Sequence, residues 1–454
     1  MKIASCIVSP GENRRIPLRL LNAGNNYLKI YANSNIAHLE EIEKFDDDEE
    51  PPELRTYELP QTKKTIKNRW ASEMVKLDET ILSSTAQNQL KRLVDKFSSA
   101  FVLDDGKIGK YTGKIRHRID LTENATPFKL KPYRVPFQLR KEIERQLEDM
   151  ENQGIIVKSQ SPFGSPIVMV PKKNSGKWRM AIDYRRLNAM TTKQVYLLPN
   201  IQDALDSMAG RSIYSTFDLT AGYHQIEIFE DHAERTAFIS HMGLFHFLRL
   251  PFGLVSAPST FQAVMSEVIR GLGPNFLVYL DDIILGNNNE IEHLQQIESF
   301  FTTMRNNGLK LNIEKCVFGR NQIKYLGFIL SSNGISPDKH NVETVQRFKK
   351  PNSVSELRSL LGALAYFRRF IPSFSTIAKP LYDLTKKEAI GEWKWTKEHD
   401  EAMTILKKLL STAPVLATPN FNAPFEIETD ASAVALAAVL LQRKEGNLHP
   451  IADS

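Results

Sequence analysis

Two adjacent aspartates interrupt the otherwise apolar segment Phe276–Leu285, and this segment limits the fold more strongly than any other part of the chain. An ionised carboxylate that is buried without a partner costs several kcal/mol, and two neighbours cost more. The pattern therefore predicts two short buried strands with Asp281 and Asp282 at the bend between them. Three environments satisfy the two charges: a solvated turn, pairing with Lys or Arg, or the binding of divalent cations.

A third carboxylate favours the cations. Asp218 lies near the end of another apolar strand, predicted over Ile213–Leu219, and a turn at Ala221-Gly222 follows it. If the two strands are neighbours in one sheet, three carboxylates converge at one edge. Clusters of carboxylate oxygens suit Mg²⁺, which keeps part of its water shell and recruits phosphate groups of a substrate.

The formal net charge is +6, and the basic residues are concentrated in two stretches. Residues 107–145 carry eleven Lys or Arg against four Asp or Glu, and residues 172–193 carry seven against one. Such stretches suit a surface that contacts phosphates, although a solvated basic face without a partner has the same pattern. The chain has only two cysteines and no apolar run near the length of a membrane span, which argues against a disulfide framework and against a membrane protein.

The remaining pattern predicts an α+β protein. Helices are predicted over 90–101, 138–153 and from 337 onward, and strands over Ser165–Lys172, Lys177–Tyr184, 425–429 and 433–441. Ser353 and Glu356 have the spacing of a helix-starting capping box. The acidic run 46–52 ends in two prolines and is typical of a disordered linker.

Several motifs, in order along the chain, resemble the reverse transcriptase of gypsy-type LTR retrotransposons. They are Lys177–Asn188 (KWRMAIDYRRLN), Phe217–Gln225 (FDLTAGYHQ), Leu250–Leu254 (LPFGL) with Ala257-Pro258 and Phe261-Gln262, Tyr279–Asp282 (YLDD) and Tyr325–Phe328 (YLGF). The resemblance covers about 120 to 454, and five ordered motifs are far more specific than an Asp-Asp pair alone.

The resemblance implies a right-hand polymerase fold with fingers, palm and thumb. The domain boundaries that we expect are a β-rich segment at 1–45, an acidic linker and helical segment at 46–125, fingers and palm at 126–335, a thumb-like region at 336–395 and a partial RNase H-like α/β domain at 396–454. The β-rich segment corresponds to the part that follows the protease in such polyproteins.

The family's functional residues transfer onto matching positions. Asp218, Asp281 and Asp282 correspond to the ligands of two Mg²⁺ ions, which Mn²⁺ can replace, and two such ions can activate a primer 3′-hydroxyl and stabilise pyrophosphate. Lys172 and Arg179 correspond to contacts of the nucleotide triphosphate. The primer grip corresponds to Tyr325, Leu326 and Gly327.

Three further residues have a functional assignment and also an ordinary structural explanation. Tyr223 corresponds to the steric gate that rejects a ribose 2′-hydroxyl, but ordinary core packing also explains a tyrosine there. Phe252 corresponds to a residue beneath the incoming nucleotide, or it is an apolar core contact. Lys315 can donate a proton to pyrophosphate, or it is an ordinary exposed lysine.

The C-terminal segment resembles the start of the RNase H-like domain, with Asp430 at the position of its first metal-binding aspartate. The sequence ends before further acidic ligands occur, so we expect a truncated domain without RNase H activity. The family implies a cytoplasmic, particle-associated protein whose full-length parent also carries protease, RNase H and integrase domains.

The sequence therefore predicts an RNA-directed DNA polymerase that uses an RNA template, a DNA primer or an RNA/DNA hybrid, and deoxynucleoside triphosphates. One alternative is a catalytically inactive nucleic-acid-binding remnant of a decayed polyprotein. A metal-dependent nuclease is a third hypothesis, although a nuclease has no need for the triphosphate contacts at Lys172 and Arg179.

Overall fold

Two units make up the chain, 1–68 and 69–454. The structure is a computed structural model that describes residues 2–4, 56–58, 70–171, 176, 178–194, 196, 199–386, 393–413, 415–417, 423–431, 436–444 and 446–453. In the first unit, strand β1 (Lys2–Ala4) pairs antiparallel with β2 (Thr56–Glu58). The rest of the β-rich segment expected at 1–45 and the acidic run lie outside the described residues.

Strands and helices alternate irregularly through the second unit. The strands are β3 (Ile156–Lys158), β4 (Ser165–Pro171), β5 (Trp178–Ile182), β6 (Ile213–Phe217), β7 (Phe238–Ser240), β8 (Gly243–Phe247), β9 (Phe276–Tyr279), β10 (Asp282–Asn287), β11 (Val317–Arg320), β12 (Gln322–Tyr325), β13 (Phe328–Ser331), β14 (Gly334–Pro337), β15 (Phe425–Ala431), β16 (Leu436–Lys444) and β17 (Asn447–Asp453). The helices are α1 (Ser84–Lys96), α2 (Phe137–Asn152), α3 (Arg185–Ala189), α4 (Ile201–Met208), α5 (Glu230–Ala233), α6 (Ala257–Ile269), α7 (Glu290–Asn306), α8 (Lys339–Gln346), α9 (Val354–Tyr366), α10 (Phe374–Asp383) and α11 (Lys397–Ser411).

A four-stranded antiparallel sheet, in the order β11-β6-β10-β9, lies at the centre of the second unit. Strand β10 is buried on both faces. Successive side chains of a strand point in opposite directions, so neighbouring residues of β10 enter different cores. Ile283 and Leu285 join one core cluster with α6 and α7, whereas Ile284 joins a second cluster with α9, α10 and α11. Burial on both faces explains why this part of the sequence is apolar without alternation.

The five-stranded sheet, in the order β3-β8-β7-β4-β5, carries a third core cluster. Its strands pair antiparallel except for β4 and β7, which are parallel. Ile143 and Leu147 of α2 are buried against this sheet with Phe238 and Phe245. Strands β4 and β5 form the hairpin that the sequence predicts, although Lys172, Lys173 and Lys177 lie outside the described residues.

The sheet β12-β13-β14 connects the central sheet to the C-terminal helices. At its far edge, the backbone of Ile335 exchanges two hydrogen bonds of 2.9 Å with Leu416. Beyond Leu416, strands β15, β16 and β17 form a separate antiparallel sheet. No helix among the described residues is long and apolar enough to cross a membrane.

Some element boundaries differ from the predictions. The helix predicted over 90–101 is α1, which begins at Ser84 and ends at Lys96. After α1 the chain forms a short 3-10 turn over Ser98–Ala100. It then pairs with another segment, where Val102 N–H donates to the Leu311 carbonyl and Leu311 N–H donates to the Ala100 carbonyl. Strand β6 ends at Phe217 instead of 219, since the Asp218 carbonyl accepts a hydrogen bond from Asn312 N–H.

Two further boundaries have local causes. Strand β5 stops at Ile182 because Tyr184 turns into the core, where its hydroxyl donates to the Thr236 carbonyl at 2.8 Å. Ser353 caps α9 as predicted, with its hydroxyl accepting from Glu356 N–H at 3.2 Å. The Glu356 carboxylate accepts from the N–H of Asn352, one residue earlier than a reciprocal capping box requires.

A glycine allows the segments around Lys110 and Gly308 to cross closely. Gly308 has a positive φ of 68°, and its carbonyl accepts from Lys110 N–H at 2.8 Å. A β-carbon at Gly308 would overlap the Lys110 carbonyl oxygen. The crossing therefore requires glycine for both its backbone conformation and its lack of a side chain.

We expect Gly308→Ala to lower the free energy of unfolding by at least about 1–2 kcal/mol, the cost of the left-handed conformation alone. Urea and thermal denaturation measure the loss. Gly271→Ala is the matched control, because Gly271 has open space around its β-carbon position and no positive φ. Equal stability of the two variants would contradict the account of this crossing.

Candidate active site

The turn between β9 and β10 presents the paired aspartates. Tyr279 and Asp282 are opposite each other in the ladder, so Leu280 and Asp281 form the turn itself. Leu280 has a positive φ of 53°, which is uncommon for a residue with a branched side chain. A conformation of this kind persists only where the surroundings hold it.

Gln262 of α6 stabilises this turn through hydrogen bonds to the main chain. Its side chain is buried, and its amide oxygen accepts a hydrogen bond from Leu280 N–H at 2.6 Å. Its amide nitrogen donates to the Val278 carbonyl at 3.1 Å. Both ends of one side-chain amide therefore bind the main chain immediately before Asp281.

Strand pairing brings the third carboxylate beside the first two. Phe217 is opposite Ile283 in the β6–β10 ladder, which places Asp218 next to the turn that carries Asp281 and Asp282. The segment after Asp218 is held by Asn312, whose N–H donates to the Asp218 carbonyl at 2.8 Å. The predicted convergence of the three carboxylates requires β6 and β10 to be neighbours, and the two strands pair over five residues.

The three carboxylates interact electrostatically. Partial burial raises the pKa of Asp281, and the negative charges of Asp282 and Asp218 add to the increase while Lys315 opposes it. Partial burial and the charge of Asp218 raise the pKa of Asp282. Both carboxylates remain accessible to solvent. A cation at this position would offset the repulsion.

Lys315 supplies part of that positive charge. Its ammonium nitrogen lies 3.3 Å from each carboxylate oxygen of Asp218, and the lysine side chain is 63% exposed. An ion pair that is this exposed contributes at most about 1 kcal/mol, so a divalent cation can compete with it.

No group of three or more His, Cys, Asp or Glu side chains in the described part of the chain is arranged to hold a metal ion by itself. The donor set nevertheless fits Mg²⁺, which binds through one or two carboxylates and completes its shell with waters and substrate phosphates. Partial burial raises the pKa of Asp281 and Asp282, and neighbouring carboxylates add to the increase, so a bound cation would favour the ionised form of both groups.

Three of the four residues expected to contact the nucleotide lie side by side. The guanidinium carbon of Arg179 is 4.1 Å from the ring centre of Phe252, and the ring centres of Phe252 and Tyr223 are 4.9 Å apart. Burial and the charge of Asp281 raise the pKa of Tyr223 to about 12. The row therefore runs from the β4–β5 hairpin towards the carboxylates. Lys172 lies outside the described residues.

The residues expected to form the primer grip make the turn between β12 and β13. Leu326 and Gly327 have positive φ values of 46° and 77°. Tyr366 of α9 donates to the Leu326 carbonyl at 2.6 Å. Tyr325 is buried beneath the turn, and burial together with the negative charge of Asp282 raises its pKa far above the usual value.

Asp430 occupies a different part of the structure. It lies in β15, opposite Ala437 of β16, in the separate C-terminal sheet. The structure thus assembles two groups of expected site residues around the central sheet and leaves Asp430 outside them.

Comparison with known proteins identifies the central region. Residues 170–330 match the family described as reverse transcriptase (RNA-dependent DNA polymerase). The chain carries a reverse transcriptase domain. Residues 395–453 match the RNase H-like domain found in reverse transcriptase.

Relatives of this reverse transcriptase domain are polyproteins of transposons. The chain is 38% identical over 368 residues to the retrovirus-related Pol polyprotein from transposon 297 of Drosophila melanogaster, covering 80% of this chain and 34% of the relative. It is 32% identical over 340 residues to the transposon Tf2-3 polyprotein of Schizosaccharomyces pombe, covering 75% and 25%. The chain thus spans about a third or less of the length of these relatives.

Solved structures agree on the fold. A foamy viral protease-reverse transcriptase in complex with double-stranded DNA has a TM-score of 0.74 at 25% identity, covering 88% of this chain and 69% of that chain. The complex of a foamy viral protease-reverse transcriptase with an RNA/DNA hybrid has a TM-score of 0.69 at 25% identity, covering 88% and 53%. The expected α+β polymerase fold with a C-terminal RNase H-like segment is confirmed.

The sequence motif that contains Phe261 and Gln262 does not predict the role of Gln262 in this reverse transcriptase domain. The available signal was a polar side chain among apolar neighbours on α6, because a buried amide needs hydrogen-bond partners. Which backbone groups it would bind depends on how α6 packs against β9.

We expect Asp281→Asn to stabilise the metal-free protein at pH 7. The folded-state pKa of Asp281 is raised, so its ionised form favours the unfolded chain. This unfavourable contribution is absent when the carboxyl is protonated, appears as the pH rises through the carboxyl range, and is fully present at pH 7. Removing the charge should raise Tm by on the order of 1–3 °C at pH 7.

Thermal denaturation in EDTA between pH 3.5 and pH 8 measures this difference. The gain should shrink towards the acidic end, where the parent carboxyl is protonated. The exposed Asp78 provides a control, since Asp78→Asn removes one charge away from the cluster. A gain that is independent of pH, or one that Asp78→Asn reproduces, would contradict the raised pKa of Asp281.

Proposed function

We propose that the chain is an RNA-directed DNA polymerase from the Pol polyprotein of a gypsy-type LTR retrotransposon. One observation carries the proposal: Asp218, Asp281 and Asp282 lie at adjoining strand ends within the segment that matches the reverse transcriptase family. The proposed reaction adds deoxynucleotides to the 3′-hydroxyl of a primer.

The proposed metal ligands are Asp218, Asp281 and Asp282, with two Mg²⁺ ions, which Mn²⁺ can replace. When bound, such ions supply activation of the 3′-hydroxyl and stabilisation of the leaving pyrophosphate. The contribution of the protein is to hold three carboxylates at one edge of the central sheet despite their repulsion. The β6–β10 ladder and Gln262 provide that rigidity.

The proposed nucleotide site lies beside the carboxylates. Arg179 offers a guanidinium that can bind phosphate oxygens in a bidentate manner, and we assign Lys172 to the same triphosphate. Tyr223 would exclude a ribose 2′-hydroxyl by its bulk, while Phe252 would lie beneath the base or sugar. The row of contacts from Arg179 to Tyr223 supports this assignment.

The proposed partners are an RNA template, a DNA primer or an RNA/DNA hybrid, and deoxynucleoside triphosphates. The foamy viral enzymes of the same fold are described in complex with double-stranded DNA and with an RNA/DNA hybrid, which supports the proposal. Because the relatives are Pol polyproteins, we propose protease, RNase H and integrase domains in a longer parent, and an intracellular, particle-associated location.

We assign fingers and palm to 126–335, the thumb-like region to 336–395 and the RNase H-like segment to 396–454. The family match over 395–453 supports the last boundary. One core cluster contains residues of all three proposed regions, so they pack against one another. We assign 1–45 and 46–125 to the segment after the protease and to a linker with α1.

Primer extension on an RNA template tests the proposed activity. With Mg²⁺ and all four deoxynucleotides the parent should extend the primer, and Asp281→Asn should lower the rate at least about 100-fold, as expected for removing a charged group from a reaction centre. Asp78→Asn should extend like the parent. Extension by Asp281→Asn at the parental rate would exclude the assigned site.

The same assay distinguishes an active polymerase from the alternative, an inactive nucleic-acid-binding remnant. The lack of a ready-made three-ligand metal group among the described residues is the observation that favours this alternative. A remnant would bind nucleic acid with an affinity that falls steeply with salt, yet would not extend the primer at any Mg²⁺ or Mn²⁺ concentration.

Ribonucleotides test the role of Tyr223. Tyr223→Ala should reduce the preference for deoxynucleotides over ribonucleotides by roughly 10- to 100-fold, because it removes the steric exclusion. Tyr223→Phe keeps the ring and should keep the preference. The measurement is kcat/KM for dNTP and rNTP incorporation opposite the same template base. An unchanged preference in Tyr223→Ala would leave Tyr223 as an ordinary core residue.

A further inference from the structure

The hydroxyl of Tyr325 lies between the two functional turns. It donates a hydrogen bond to the main-chain carbonyl of Asp282, with an oxygen–oxygen distance of 3.3 Å. Tyr325 is only 3% exposed, and it belongs to the core cluster shared with the C-terminal helices. A buried hydroxyl needs a partner, and here the partner belongs to a residue that carries a proposed catalytic carboxylate.

The hairpin of β12 and β13 is attached to the central sheet at both of its ends. Near the end of β13, the Ser331 carbonyl accepts from Gly210 N–H at 3.0 Å. The hydroxyl of Tyr214 in β6 lies 3.4 Å from the same carbonyl oxygen and makes its shorter bond, of 3.0 Å, to the Met208 carbonyl. At the other end, beside the turn, the Tyr325 hydroxyl makes the link to Asp282. The first attachment fixes where the hairpin starts, and the second fixes how far its turn lies from the carboxylates.

The opposite side of the same turn is held by the C-terminal helices. Tyr366 donates to the Leu326 carbonyl, and the Gly327 carbonyl accepts from Asp338 N–H at 3.1 Å and from the Asn341 amide at 3.4 Å. These bonds tie the turn to α8 and α9, whereas Tyr325 ties it to the catalytic turn.

We propose that Tyr325 is a positioning residue whose hydroxyl sets the distance between the primer-grip turn and Asp282. The inference rests on the proposed polymerase function. In that function the primer terminus lies against the turn at Leu326 and Gly327, and its 3′-hydroxyl must reach the carboxylates. Small displacements of reacting atoms lower the rate of a chemical step strongly, whereas the affinity for the rest of the duplex is unaffected.

Tyr325→Phe tests the inference because it removes one oxygen and keeps the buried ring. We expect kcat for nucleotide addition to fall about 3- to 10-fold, the effect of losing one hydrogen bond in the reacting arrangement. The dissociation constant of the template–primer and the KM for the nucleotide should stay within about twofold of the parent values. Single-turnover extension and filter binding supply these quantities.

Tyr111→Phe is the matched control. Tyr111 is also buried, and its hydroxyl donates to Glu267 at 3.1 Å, away from both turns. A structural effect of removing a buried hydroxyl would appear in both variants as a lower Tm, whereas only Tyr325→Phe should lose kcat.

The results distinguish the positioning role of Tyr325 from the proposed polymerase function on which it rests. If the parent extends primers, Tyr325→Phe is slower and Tyr111→Phe is unchanged, the positioning role of the Tyr325 hydroxyl is supported. Equal kcat in the parent and Tyr325→Phe, or equal losses of kcat in both tyrosine variants, overturns the positioning role but not the polymerase function. If the parent does not extend any primer, the proposed function is overturned, and the positioning role of Tyr325 is overturned as well.

Discussion

Repulsion among three carboxylates is the constraint on which the rest of the structure depends. Partial burial raises the pKa of Asp281 and Asp282, and the charge of Asp218 adds to the increase, so ionisation of these two carboxyl groups opposes the arrangement. Pairing of β6 with β10 over five residues nevertheless keeps Asp218 beside them, and Gln262 fixes the left-handed backbone before Asp281. The energy for this arrangement comes from the burial of apolar side chains on both faces of β10, which outweighs the repulsion at its exposed end.

Burial of β10 on both faces also explains how the functional parts are connected. One face packs on α6 and α7, and α6 carries Gln262. The other face packs on the cluster that contains Tyr325 and the C-terminal helices. The sheet that carries the turn at Asp281 and Asp282 is therefore packed against a core on each side.

Much of the fold and the candidate site was predictable because it depends on local patterns. The apolar run with two aspartates predicted the β9–β10 hairpin, and the motif order predicted the polymerase fold that the comparisons confirm. The end of α1 and the end of β6 were predicted less well. Both are decided by the segment around Leu311 and Asn312, more than 90 residues away from Asp218, which takes over backbone hydrogen bonds that a local pattern assigns to a helix or strand.

The sequence alone predicts which residues would carry the proposed chemistry, among them three carboxylates, an arginine and a tyrosine at spacings that resemble a known family. Only the tertiary structure decided how they are held. Lys315 pairs with Asp218, the Gln262 amide binds on both sides of Tyr279, and the Tyr325 hydroxyl reaches the Asp282 carbonyl. The physical reason is that a hydrogen bond or ion pair depends on distances of about 3 Å between atoms, and such distances between remote segments are set by packing and not by sequence spacing.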